Sequence, residues 1–325
     1  MSAARSSADL EGEESGQLLP TSSHGGRLDV VGIGQISVDE VRVVDARGRS
    51  KRAPEFLCGG QVATVILAAA RLGLRSAYQG AVGEDPTADR ALAPLLAAAV
   101  DCRSVKRVPG GRTRTARIRV EGEGGDRRVE PQRDPAVRLA PEDVDRGLIR
   151  QARLLHVDAE DPAASIRAVE LARGLGVATT LDLDEPGDET LVLLHKTDFP
   201  IVSQGFATKL SGGPATLALP ELAAAAGRMA VITLGEEGAV AQLHGGQTVL
   251  HCPAFSVEVR DTTGAGDAFR AGFIWALLQG LPAAAVLEAA SAIAALNCGV
   301  LGAQGGLPMR QGLEAFLHSR KGDRT

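Results

Sequence analysis

One run of thirteen residues, Asp261-Thr-Thr-Gly-Ala-Gly-Asp-Ala-Phe-Arg-Ala-Gly-Phe273, constrains this chain more than any other. Gly264, Ala265 and Gly266 carry small side chains or none, so their backbone N–H groups can approach an anion closely. Phe269, Phe273, Ala276 and Leu277 then fall on one helical face, and Gly280 with Pro282 marks the end of that helix. The small residues therefore lie just ahead of a helix N-terminus, where unpaired N–H groups and the helix dipole favour negative charge. Asp267 falls in the first turn. A carboxylate beside an anion hole suits chemistry in which a proton leaves one oxygen while charge builds on another. Phosphoryl transfer to a hydroxyl is such a reaction. An N-capping Asp after a glycine turn is the plain structural alternative, and the length of the whole string weighs against it.

The string resembles the signature of the ribokinase-like (PfkB) carbohydrate kinases, and the resemblance runs from about Leu28 to Leu317. It implies that Asp267 is the catalytic base and that the backbone of Gly264, Ala265 and Gly266 is the anion hole. It implies ATP and Mg2+ as cofactors, with a sugar or sugar-like alcohol as acceptor. The expected fold is α/β, a doubly wound, mostly parallel sheet with a small β-sheet lid.

Bulk properties agree with a soluble enzyme. The 325 residues are 44% hydrophobic, enough to bury a full core, and only 3% aromatic. A formal net charge of −5 argues against a nucleic-acid or membrane-surface partner. Cys58, Cys102, Cys252 and Cys298 lack CxxC spacing, so they read as thiols in a reducing compartment. With no membrane-length apolar run and no signal-peptide pattern, the expected location is cytoplasmic. Residues 1–26, rich in Ser, Glu and Gly, read as a disordered tail, and 27–325 as the kinase domain.

Along the chain, Leu28–Ile33 is a short apolar run that suits a buried parallel strand. Gly32-x-Gly34 lacks the third glycine of a dinucleotide fingerprint. The next segment resembles the family's substrate loop, with Asp39 expected on sugar hydroxyls and Ser37 where Asn is frequent. Cys58-Gly-Gly-Gln-Val-Ala-Thr64 opens a helix that stops at Gly73. The resemblance assigns Gly59, Gly60, Gln61 and Thr64 to the acceptor. Gln61 replaces the Lys of ribokinases and Thr64 their Asn, which puts ribose itself in doubt. Asp85 ends a Val-Gly-x-Asp turn, with Ala88 where a glycine is usual.

Segments of about 38–57 and 104–136 are strand-like, interrupt the βα alternation and are expected to form the lid, through which a homodimer can also pair. Arg112 and Arg114 occupy one face of a strand and Arg117 and Arg119 another, with Arg127, Arg128 and Arg133 nearby. Arginines facing the acceptor pocket imply an acidic or phosphorylated sugar; arginines facing solvent imply a neutral one. Edge-strand charge is the commoner use, so a neutral sugar is expected.

From Arg153 onward strands alternate with helices. His156 reads as a packed strand residue, and Asp182 matches a family position near nucleotide and metal. Ser203 and Phe206 stand where many members carry Asn-x-x-Glu, a motif that ketohexokinase-like members also lack. Thr233, Gly235 and Gly238 fit the family's phosphate-side loop. Gly302 and Ala303 lie in a glycine loop that covers the adenine in the family. With Asp261 that loop implies a monovalent-cation site, admitting K+. Two rival readings stay open: a nucleoside kinase, which the scarcity of aromatics disfavours, and a catalytically weak regulatory binder, which does not need Asp267.

Overall fold

A computed structural model describes residues 18–19, 27–45, 48–50, 53–121 and 127–320. Eight strands make one sheet: β1 (Leu28–Ile33), β4 (Ser76–Gln79), β9 (Ala152–Val157), β10 (Ala178–Leu183), β11 (Phe199–Ser203), β12 (Met229–Thr233), β13 (Ala239–Leu243) and β14 (Val249–Cys252). Their order is β14-β13-β12-β11-β10-β9-β1-β4, parallel from β4 to β12 and antiparallel at the β13–β14 hairpin. The expected doubly wound sheet is therefore present.

Alternation along the strands divides the core in two. Val30, Leu154, Ile201 and Val231 face one layer, with helices Gln61–Arg71, Ala265–Leu278 and Ala283–Cys298. Val31, Leu155, Val202 and Ile232 face the other, with helices Pro162–Gly174, Asp188–Lys196 and Leu219–Ala225. Both faces are covered, which is why these strands read as unbroken apolar runs. Chain order reverses between β1 and β9, so the ligand crevice belongs at their carboxyl ends, at Gly34 and Asp158.

The helix Ala265–Leu278 is buried on every side from Ala268 onward. It approaches Ala283–Cys298 so closely that a Cβ on Gly272 would lie 2.7 Å from Ala290 Cα and 3.0 Å from Ala289 O. Backbone cannot yield as a side chain can, so Gly272→Leu forces the helices apart. A loss of about 3 kcal/mol, the upper end for overpacking, is expected in urea unfolding. An unchanged midpoint would show that the helices repack freely.

The lid is a second sheet of order β3-β2-β7-β8, made of β2 (Ser37–Val44), β3 (Glu55–Gly59), β7 (Thr115–Glu121) and β8 (Arg127–Gln132). The expected second segment began too early. Lys106–Val108 (β6) pairs instead with Ala81–Gly83 (β5), because Lys106 N–H donates to Gly80 O and draws it to the body. Asp39 lies opposite both Leu57 and Ala116, and Val41 opposite Ile118, so these share one face. Val41, Ala116 and Ile118 are buried there beside Leu57. A Cβ on Gly302 would sit 2.6 Å from Leu57 Cδ1, so the lid rests on the carboxy-terminal loop.

The expected tail falls mostly outside the described residues. Leu18 packs into the core, and its carbonyl accepts from Arg228 Nη1 (3.1 Å). No helix among the described residues is long and apolar enough to cross a membrane.

Candidate active site

Glycine geometry builds the start of helix Ala265–Leu278. Gly264 has φ 73°, a left-handed conformation that a side chain strains. A Cβ there would also strike Ala303 O at 2.6 Å. Asp261 ties the turn together: Oδ1 accepts from Thr263 N–H and Oγ1 (both 2.7 Å), and Oδ2 from Gly302 N–H (2.8 Å). With three donors already on its carboxylate, Asp261 acts here as a loop clamp. Ala265 N–H is engaged too, donating to Thr262 O (3.2 Å). Among the described residues nothing accepts from the N–H groups of Gly264 and Gly266.

Asp267 is half-buried in the first turn. Burial drives its carboxyl up to about 7; Arg270 opposes the rise, and Asp184 and Asp158 add to it. The carboxyl of Asp182 lies beside it. Asp182 is buried at the end of β10 and forms an ion pair with Arg270, whose Nη2 also donates to Ile201 O (3.1 Å). Burial also raises Asp182 well above the usual carboxylate range, with Arg270 opposing. His156 bonds Thr180 Oγ1 through Nδ1 (3.0 Å); burial, then Arg270, push it down to about 3, so it stays neutral. It is a packed strand residue, as its place in the strand suggested.

On the lid strand β2, Ser37 Oγ donates to Asp39 Oδ1 (2.9 Å) and orients that carboxylate. Burial raises the Asp39 carboxyl and the Ser37 bond opposes this. A Cβ on Gly59 would lie 2.5 Å from Asp39 Oδ2, so only glycine leaves the carboxylate its place. Gly60, with φ 97°, packs on Gln35 and Ile36. Gln61 Nε2 reaches across to Asp184 Oδ2 (2.6 Å). Thr64 departs from its expected role. It is fully buried and its Oγ1 accepts from Gln304 Nε2 (3.3 Å), because the shorter side chain stays inside the helix packing.

Asp85 is structural as well: it caps its helix at Ala88 N–H (2.8 Å) and accepts from Thr113 N–H (2.8 Å) and Oγ1 (2.7 Å). Beyond Gln35, Arg114 and Arg133 both pair with Glu160, the latter at 3.0 Å. They line a cleft with Gly34, Gln35 and Ile36. Arg42 and Arg117 pair with Glu40 on the lid's other face. Neither Glu160 nor Asp184 stands in a motif, so sequence reasoning passed over both.

Thr233, Gly235 and Gly238 line a second cleft of about 710 Å³, together with Ala265 and Gly266. Its apolar wall of Phe255, Val257, Val259, Ala294 and Ala295 carries no short signature and was not foreseen. Gly302 and Ala303 do not line this cleft; they back Asp261 and Gly264 instead. Ser203 caps a helix at Phe206 N–H (3.2 Å) and Phe206 is core, so this segment supplies packing where Asn-x-x-Glu would supply ligands. No group of three or more His, Cys, Asp or Glu that could hold a metal occurs among the described residues.

An α/β fold with a lid, two clefts, and an acid at the helix N-terminus beside the larger cleft fits a small-molecule kinase. The model of the pfkB family carbohydrate kinases matches residues 27–310, and the chain belongs to that family. It is 29% identical over 303 residues to the ATP-dependent ribose-1-phosphate kinase of Halopiger xanaduensis (86% of this chain, 93% of that protein). It is 30% identical over 311 residues to the ribokinase of Bacillus subtilis (88% and 98%). A crystal structure of a putative ribokinase from Agrobacterium tumefaciens superposes with a TM-score of 0.81 at 27% identity, covering 91% of this chain and 99% of that one. Carbohydrate kinase activity is the property these relatives share.

Proposed function

We propose that the protein transfers the terminal phosphoryl group of ATP to a hydroxyl of a neutral sugar. One observation carries this reading. Ala265 and Gly266 wall the 710 Å³ cleft, and the next residue, Asp267, interacts with Asp158 and Asp184 of the acceptor side. ATP occupies that cleft with its phosphates toward the N–H groups of Gly264 and Gly266. Asp267 takes the proton of the acceptor hydroxyl as its oxygen attacks phosphorus. Mg2+ supplies charge neutralisation when bound. Among the described residues the donor set offers no protein cage for it, which fits an ion carried chiefly by substrate phosphates. The chain's own residues then orient the acceptor and exclude water beneath the lid.

Arg114 and Arg133 face the cleft and not the expected solvent, the arrangement tied above to an acidic sugar, yet Glu160 beside them supports the neutral acceptor. The inward arginines Arg114 and Arg133 share it, and the cleft's other acids, Asp134 and Asp161, balance Arg112. The resemblance to a ribose-1-phosphate kinase favours a phosphorylated acceptor as the second reading. ADP release over a panel of ribose, deoxyribose, fructose and ribose 1-phosphate distinguishes the two. Turnover with none of them, or with nucleosides alone, would overturn the sugar-kinase reading.

Asp39 is expected to act in acceptor binding. Its carboxylate faces inward beside Leu57, and a charge-assisted hydrogen bond contributes about 1.5–3 kcal/mol. Asp39→Ala therefore raises the acceptor KM by about tenfold or more and leaves the KM for ATP near its original value. Normal acceptor affinity with impaired ATP binding would reverse the assignment.

A further inference from the structure

Arg270 has no place in the reaction as described, yet it is 3% exposed at the centre of the site. A buried guanidinium needs partners, and here they come from two strands. Asp182 on β10 forms the ion pair, and Ile201 O on β11 accepts from Nη2 at 3.1 Å. Nη1 lies 2.8 Å from where a Cβ on Gly266 would be, so the guanidinium fills the space that glycine leaves open. One side chain thus ties the first turn of the helix, which carries Asp267, to the carboxyl ends of the sheet. Its surroundings are otherwise acidic or neutral. Asp182 and Asp267 adjoin it, Asp184 and Asp158 act on Asp267 from farther off, and His156 is uncharged.

We propose that Arg270 is a positioning residue for Asp267: it pairs with Asp182, holds the helix start against the sheet and weakens the hold of the two carboxyls on a proton, so that Asp267 can receive the acceptor's. Two carboxyls in contact share a proton, and a shared proton occupies the base. The Arg270 charge opposes protonation of both carboxyls and so weakens the pair's hold on that proton. The transferred proton then goes from the acceptor hydroxyl to Asp267, while the hydroxyl oxygen forms its bond to phosphorus and ADP leaves.

This inference rests on Asp267 being the base, and the variants separate the two ideas. In Arg270→Met the pair retains a proton, so the rising limb of the kcat–pH profile moves up by about one pH unit or more. Arg270→Lys keeps the charge and holds the limb near its original place. The double variant Asp182→Asn/Arg270→Met carries no unpaired buried charge and no second carboxyl, so it folds and returns the limb toward the original. Acceptor KM stays within about twofold throughout, since Arg270 touches no acceptor group. A limb that does not rise in Arg270→Met, or one equally displaced in the double variant, overturns the role of Arg270. An Asp267→Asn enzyme with most of its rate overturns the base assignment instead.

Discussion

Asp267→Asn lowers kcat by about 10²- to 10⁴-fold, the range associated with a general base, and keeps ATP binding. The amide matches the carboxylate in size, so the first turn, Gly264 and Gly266 stay in place. Only the capacity to accept a proton is lost. The proposed mechanism carries the same requirement into the pH dependence of the unmodified enzyme. Burial pushes the Asp267 carboxyl up to about 7, and the proposed base works only when ionised. Turnover therefore rises with pH through about 7 and falls away below it. Initial rates over a pH series, with nucleotide binding measured by titration calorimetry, check both parts. Retained turnover in the Asn enzyme would mean that another group takes the proton.

Arg270→Met is expected to be among the most destabilising single substitutions. It leaves Asp182 buried at 2% exposure with its cationic partner gone. Breaking a buried ion pair from one side destabilises by about 3–5 kcal/mol, because the remaining carboxyl must either keep an unsolvated charge or take up a proton to bury it. Asp182→Asn/Arg270→Met should recover a large part of that loss, since an amide tolerates burial far better than a carboxylate. Chemical unfolding of the two variants measures the difference. Equal stability of single and double variants would show that the pair contributes little to the fold.

The parts of the site legible in the sequence are those whose requirement is local. Gly264 and Gly60 adopt backbone conformations that favour glycine, and Gly59 must leave room for Asp39. Such needs leave a mark in the residue string itself. The strands of the main sheet were legible for a related reason: burial on both faces demands continuous apolar runs such as Leu28–Ile33. The start of the lid's second segment was not, because Lys106–Val108 is as strand-like as its neighbours, and its partner is chosen by position in space.

Side chains with polar partners far along the chain were hidden. Gln61 meets Asp184 across 123 residues, Arg270 meets Ile201 across 69, and Arg114 meets Glu160 across 46. None of these residues has a spacing that announces its partner. Thr64 illustrates the converse: its place in the motif suggested the acceptor, and Gln304 takes its hydroxyl. By itself the sequence determined the fold class, the glycine-framed helix start and the carboxylate within it, because backbone sterics and helix geometry act over a few residues. Only the tertiary structure decided which charges surround that carboxylate and which arginines are neutralised. Electrostatics in a buried site depends on distance through space, and the folded chain alone sets that distance.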